Sequence, residues 1–246
     1  MSAVISAKGL AKSYGPTKAL RPTDIDIPLG RVVGVIGANG AGKTTMLNCI
    51  LGLLAYEGEL SVLGREPYKD RAKLMHEVSY IADVATLPRW MKVGQLLDFI
   101  AGVHPKFDRE ACEQRLKQTK VRNDARIRTL SKGMVAQLHL AVVMAIDARL
   151  LVLDEPTLGL DILFRKNFYE TLISEYFDEN RTIVITTHQV EEIEKILTHA
   201  IFIKDGKVVV DASMDELSEQ ILAVDVPSEK LEEAKALGPI HIRTGF

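Results

Sequence analysis

Gly37-Ala38-Asn39-Gly40-Ala41-Gly42-Lys43-Thr44 fits the pattern G-x-x-x-x-G-K-[ST] with no substitution. The apolar run Val32-Val33-Gly34-Val35-Ile36 precedes it, and the helix-forming Thr45-Met46-Leu47-Asn48-Cys49-Ile50-Leu51 follows. The order is therefore strand, glycine-rich loop, helix. Glycines let consecutive backbone N–H groups turn inward around phosphate oxygens, and the helix N-terminus adds a positive dipole end. Lys43 would reach the β- and γ-phosphates of a nucleotide, and Thr44 would supply a hydroxyl to Mg²⁺. Gly37, Ala38, Asn39, Gly40, Ala41, Gly42, Lys43, Thr44 and Thr45 form the candidate phosphate-binding set.

Working outward, Arg31–Ile36, Leu150–Leu153 and Thr182–Thr186 are apolar, β-branched runs that predict buried parallel strands. Each leads into polar or glycine-containing residues and then a helical pattern. That is the rhythm of an α/β sheet, whose ligands bind beyond the carboxyl ends of the strands. Val4–Gly9, Lys18–Ile27 and Gly58–Leu63 alternate or are bounded by turns, and predict a small antiparallel layer. From Val93 to Ala145 the pattern is helical, with amphipathic stretches at Gln95–Ile100 and Arg109–Leu116. Asp205-Gly206, between Ile201-Phe202-Ile203 and Val208-Val209-Val210, signals a hairpin turn.

The chain has 246 residues, enough for one large domain or a domain with a subdomain, and its 47% apolar content supports a sizeable core. A net charge of −2 gives no global pull toward nucleic acid or anionic lipid. Two cysteines, Cys49 and Cys112, suit a reducing compartment and no disulfide scaffold. The N-terminus lacks the basic-then-apolar layout of a signal peptide. No stretch reaches the roughly 18 uninterrupted apolar residues that span a bilayer. Ala136 to Leu153 comes nearest but is broken by His139, Asp147 and Arg149. The expectation is a soluble chain whose membrane role, if any, comes through a partner.

Leu150-Leu151-Val152-Leu153-Asp154-Glu155 is an apolar strand ending in two carboxylates. Asp154 would hold Mg²⁺, directly or through water, and Glu155 would orient or deprotonate the water that attacks the γ-phosphate. Upstream lies Leu130-Ser131-Lys132-Gly133-Met134, and downstream come Leu158-Gly159-Leu160-Asp161 and Thr186-Thr187-His188. With these motifs in this order, the chain resembles the ATP-binding subunit of ATP-binding cassette (ABC) transporters from about residue 4 to about 220. The resemblance implies an α/β fold: a P-loop NTPase (RecA-like) core with an antiparallel β layer and an inserted helical signature subdomain. It implies ATP and Mg²⁺ as cofactors. It also implies that Tyr14 stacks on adenine, that Ser131 and Gly133 close over ATP held by an opposite subunit, that Asp161 lies in the loop crossing that interface, and that His188 is the switch histidine near the γ-phosphate. Each residue has a plainer reading: Tyr14 as strand packing, His188 as a cap or surface residue, and Ser131 as the N-cap of the helix beginning at Lys132.

Two departures from the family pattern stand out. Where the usual signature reads Leu-Ser-Gly-Gly-Gln, this chain has Lys132 for the first glycine and Met134 for the glutamine. Where members commonly place a metal-touching glutamine after the strand matching Val78–Ala82, it has Asp83. A carboxylate is the better ligand for a hard cation, but its stem is one methylene shorter. Asp83 is thus a third candidate metal residue beside Thr44 and Asp154, or a turn cap. The Asp83 replacement and the stretch Gly58–Pro67 look like the export-type bacterial branch.

Trp90 and Met91 are read either as subdomain core or as part of the groove that in the family receives a helix of the membrane subunit. The basic cluster Arg115, Lys117, Lys120, Arg122, Arg126 and Arg128 reads as a solvated face, with a membrane-proximal surface as the alternative. Nucleic-acid binding is not expected, since aromatic interleaving is absent. Ile221–Val226, Ser228–Leu237 and Ile240–Arg243 predict a strand–helix–strand tail. Residues 1–220 would form the ATPase domain, with the helical subdomain at about 88–147, and 221–246 a short C-terminal extension that packs on it or pairs with another copy.

The expected function is ATP binding and hydrolysis that powers transport, with export favoured, through separate membrane subunits. The subunit would work as a homodimer or heterodimer in the cytoplasm, at the inner face of the cell membrane. The alternative is a soluble ATPase of the same build acting on a protein or nucleic-acid partner; the single nucleotide domain and the mild acidity argue against it. A nucleotide-binding module without turnover is opposed by the joint presence of Lys43, Glu155 and His188.

Overall fold

Val32–Ile36 is buried at every position, as a strand covered on both faces must be. It forms β3 at the middle of the sheet that organises the chain. The computed structural model describes residues 3–82, 87–220 and 226–236. Two compact units are present, Met1–Met214 and Asp215–Phe246.

In the first unit, β1 (Ala3–Tyr14), β2 (Thr17–Pro28) and, after β3 and helix α1 (Lys43–Ile50), β4 (Glu57–Val62) build an antiparallel three-stranded sheet in the order β2-β1-β4. In β2, Thr23, Ile25 and Ile27 are buried while Asp24 and Asp26 are exposed, the alternation of a sheet with one solvated face. The buried face shares a core with α1 through Leu20, Ile27, Met46, Leu47 and Ile50. A short helix α2 (Arg71–Leu74) then leads to β5 (Val78–Ile81).

Three helices follow: α3 (Val93–Val103), α4 (Arg109–Leu116) and α5 (Lys132–Met144). Val93, Leu97, Cys112, Leu116, Leu138 and Ala141 give them a core of their own. Burial pushes the Cys49 thiol up to about 11 and the Cys112 thiol up to about 12, so both are packing residues. Met91 packs against the helical core, as the core reading expects, whereas Trp90 is 67% exposed and is not part of that core. In the basic cluster, Arg115 pairs with Glu175 and Arg122 with Asp124, while Lys117, Lys120, Arg126 and Arg128 are exposed.

The main sheet is completed by β6 (Leu150–Asp154), helix α6 (Ile162–Glu175), β7 (Thr182–Thr187), β8 (His199–Lys204) and β9 (Lys207–Ser213). Its order is β5-β6-β7-β3-β8-β9, parallel except for β9. The β8–β9 turn has φ of 50° at Asp205 and 74° at Gly206, as the Asp-Gly signal requires. Register pairs Leu153 with Ile185 and Ile36 with Thr187, so β6, β7 and β3 end side by side. Helix α7 (Met214–Gln220) runs into the second unit, where helix α8 (Leu231–Ala236) follows a short 3₁₀ turn at Ser228–Lys230. Of the expected tail strands, 221–226 and 240–243, all but Val226 lie outside the described residues, and Val226 is not in a strand.

Candidate functional site

The chain leaves β3 at Ile36, crosses the glycine loop and enters α1 at Lys43. Gly42 holds φ at 111°, and a Cβ there would sit 2.5 Å from the Ala19 carbonyl oxygen, so only glycine fits. Gly40, at φ 81°, faces open space. Because Gly42 is also the N-cap, no side chain caps α1. Its first residues Lys43, Thr44 and Thr45 line a cleft of about 210 Å³ with Ala19, Asn39, Gly40, Gly42 and Glu155. Uncapped amides and a dipole end facing such a cleft form a site for anionic oxygens. Lys43 is 6% exposed, and its ammonium donates to the carbonyls of Gly37 at 2.7 Å and Ala38 at 3.3 Å.

The carboxyl end of β6 brings in the acids. Asp154 Oδ1 accepts hydrogen bonds from Thr186 Oγ1 at 2.5 Å and Thr44 Oγ1 at 3.3 Å. The same Thr186 hydroxyl accepts from the Glu155 amide at 3.0 Å, so one residue of β7 fixes both acids. Glu155 stands at φ 47°, a conformation that non-glycine residues adopt at a cost and that concentrates at functional sites. His188 Nδ1 lies 2.8 Å from Glu155 Oε2; a carboxylate only accepts, so the Nδ1–H donates. Glu155 Oε1 lies 3.2 Å from Lys43 Nζ. No hydrogen bond is directed at this oxygen, and among the described residues it alone is a buried side-chain polar atom without one. It lines the cleft paired with the Lys43 ammonium alone.

No group of three or more His, Cys, Asp or Glu among the described residues could hold a metal alone. Thr44 Oγ1 and Asp154 Oδ1 instead offer two oxygen donors of the kind a hard, hydrated cation takes, leaving positions for phosphate and water. Asp83 lies outside the described residues.

Ser131, Gly133 and Asp161 do not line this cleft. They gather where α5 and α6 begin. The Ser131 hydroxyl accepts from Met134 N at 3.2 Å and the Asp161 carboxylate from Phe164 N at 2.9 Å, each capping its helix. A Cβ at Gly133 would lie 3.5 Å from the Phe164 ring, so the two helix starts pack together. Lys132 extends toward Gly159, where its Nζ would be 3.2 Å from an added Cβ. Tyr14, at the end of β1, is 48% exposed, with Lys12 Nζ 5.4 Å from its ring centroid.

Sequence reasoning quoted Thr186 as part of a strand and of the Thr186-Thr187-His188 motif but gave it no role, and it passed over Ala19, which nothing nearby in sequence marks. It also passed over a polar group around Arg165 that joins the segments after β6 and β7. No spacing signal connects those residues; only folding brings them together.

With this geometry in view, relatives can be placed. Residues 20–158 match the family model described as ABC transporter. The ABC transporter ATP-binding protein YtrB of Bacillus subtilis is 26% identical, covering 91% of this chain and 76% of the relative. The Nod factor export ATP-binding protein I of Cupriavidus metallidurans is 30% identical, covering 99% of this chain and 84% of the relative. Among solved structures, a dimeric post-hydrolysis ATP-binding cassette bound to ADP and Pi superposes with a TM-score of 0.72 at 21% identity, covering 85% of this chain and 98% of that one, a likeness of fold. The chain belongs to the ABC transporter family. Within it, the chain is an ATP-binding subunit, an ATPase that powers transport.

Proposed function

We propose that this subunit drives export and hydrolyses Mg-ATP with Glu155 as general base. The observation that carries the reading is the Glu155 carboxylate. One oxygen is held by His188, and the other is buried and meets only the Lys43 ammonium, without a directed hydrogen bond. A general base needs that arrangement: fixed in orientation, with one oxygen left for the water it activates once phosphate draws the Lys43 ammonium away.

The roles of the other residues follow from their chemistry. The uncapped amides of α1 and the Lys43 ammonium bind the β- and γ-phosphates, whose charged oxygens are stronger acceptors than the carbonyls of Gly37 and Ala38. Thr44 and Asp154 would hold Mg²⁺, with Asp83 as a further candidate, and the ion would neutralise charge on the phosphates. Tyr14 offers its exposed ring face to the adenine. The first unit, residues 1–214, carries every one of these groups, with the helices of about 88–147 serving as the signature subdomain.

Ser131, Gly133 and Asp161 lie outside the cleft and have no ATP to meet within one copy. A head-to-tail pair would bring them over the ATP of the other subunit, and the ADP-bound relative of the same fold is itself dimeric. No described helix is long and apolar enough to cross a membrane. Membership of the transporter family is what supports separate membrane subunits as the path of the transported molecule, joined by this chain from the cytoplasmic side. Export is favoured by the Nod factor export relative.

Glu155→Gln tests the reading. An amide cannot take the water's proton, so kcat should fall by about 10²–10⁴-fold while ATP still binds. The variant should then accumulate as an ATP-bound dimer on size-exclusion chromatography with Mg-ATP. Turnover at the wild-type rate would remove Glu155 from the chemistry.

A further inference from the structure

We infer that Arg165 is a positioning residue for hydrolysis, clamping the segment after Glu155 to the segment after His188. The inference rests on the reading of Glu155 and His188 given above. Arg165 lies in the first turns of α6, 20% exposed, and its guanidinium reaches both segments. Nε donates to the Leu160 carbonyl at 2.6 Å, in the loop that runs from Glu155 toward Asp161. Nη1 donates to Gln189 Oε1 at 2.5 Å, the residue directly after His188, and also pairs with Glu192. Glu192 closes the circuit, because its other carboxylate oxygen accepts from Thr157 Oγ1 at 3.0 Å. Thr157 is 4% exposed, stands two residues beyond Glu155, and bonds the buried Tyr169 hydroxyl at 3.2 Å.

The segments joined here carry the two ends of the Glu155–His188 hydrogen bond. Glu155 is already in a left-handed conformation, which persists only when its surroundings over-determine it. Thr186 fixes the amide of Glu155 from one side, and the Thr157–Glu192–Arg165 circuit fixes the following residues from the other. The task needs an arginine. Its planar fork serves several acceptors at once, whereas a lysine ammonium is a point charge on a flexible stem. The network is largely withdrawn from solvent, so each missing partner leaves a poorly hydrated polar group.

The test uses the purified full chain and measures steady-state ATP hydrolysis alongside calorimetric ATP affinity. Arg165→Lys keeps the charge and removes the fork. It should lower kcat by about 10- to 100-fold, since small misplacements of a catalytic group cost that much. KM and ATP affinity should stay within about threefold, because the phosphate cradle is untouched. Backbone hydrogen exchange should rise together in 157–160 and 189–193 and stay unchanged in 43–50. Glu192→Gln opens the clamp from its other side. It should shift kcat and exchange in the same direction, and it serves as the test should Arg165→Lys fail to fold. Folded variants with wild-type kcat overturn the clamp, as does a parallel loss of kcat and ATP affinity, which would mark a merely structural role. The two levels separate cleanly: Glu155→Gln with normal turnover defeats the assignment of the base, whereas an inactive Glu155→Gln beside normal Arg165→Lys and Glu192→Gln defeats the clamp alone.

Discussion

At the start of α1 the capping position is Gly42, which offers no side chain; at the start of α5 it is Ser131, whose hydroxyl accepts from Met134 N at 3.2 Å. The first helix thus leaves its leading amides for an outside acceptor, inside a cleft that the chain itself walls with Lys43, Ala19 and Glu155. The second satisfies one amide locally and stands on an open surface, with Ser131 and Lys132 exposed and Ile162 and Leu163 of the adjoining α6 start 81% and 76% exposed. On the proposed reading, one helix start binds phosphate within a single copy. On the same reading, the other meets phosphate only when a second copy covers it. The difference implies, on that reading, that nucleotide binding and nucleotide enclosure should be separable by mutation.

The largest expected effect is at α1. Lys43→Ala removes the cation from the cleft and should weaken Mg-ATP binding by more than about 100-fold, in line with the strength of charge-assisted bonds to phosphate. Calorimetry measures it directly, and an unchanged affinity would end the contrast at its stronger side.

A second difference lies in what the two helices bury. α1 buries Met46, Leu47, Cys49 and Ile50, none of which titrates in mild acid, while α5 buries His139 at 8% exposure. Burial pulls the His139 pKa down to about 4, below its ordinary 6.5. Between those values the unfolded chain binds the extra proton, so stability rises with pH. The contribution is fully present above pH 6.5 and is lost as pH falls toward 4, amounting to a few kcal/mol at most. Thermal melts at pH 7 and pH 5 should show a drop that His139→Leu reduces. Equal drops in both proteins would place the acid sensitivity elsewhere.

Ser131→Ala should cost about 1 kcal/mol of stability through loss of the cap. It should leave ATP affinity of the single copy unaltered while lowering turnover, which needs the enclosed site. A matching loss of affinity in dilute protein would show that α5 contributes to the first cleft after all. The smallest effect is expected at Asp83. Asp83→Ala should shift the Mg²⁺ concentration for half-maximal turnover a few-fold while sparing nucleotide affinity, since one of several oxygen donors is removed. A superimposable metal titration would make Asp83 a turn cap.

Much of this was readable because it is local. Strand, loop and helix around Gly37–Thr44 follow from periodicity and glycine placement. The Asp205-Gly206 hairpin follows from the two positive φ values that its turn demands. The Ser131 cap was likewise open to view as the plainer reading of that residue, placed just before the helix that begins at Lys132. The division between Trp90 and Met91 was not readable, because adjacent residues of one segment differ only in which way the subdomain core lies.

The sequence by itself determined the phosphate cradle, the two acids at the end of a buried strand, and the family. Each is written within a few consecutive residues, where backbone conformation and side-chain chemistry act together. Only the tertiary structure decided that β7 sits between β6 and β3, since strand order depends on packing and crossover rather than on any one segment's propensity. That order sets His188 against Glu155 across 33 residues of chain. It also lets Thr186 hold both acids and gathers Arg165, Thr157 and Glu192 into one polar circuit. Contacts of this kind pair residues far apart in sequence, and nothing in the local pattern of either partner encodes the other.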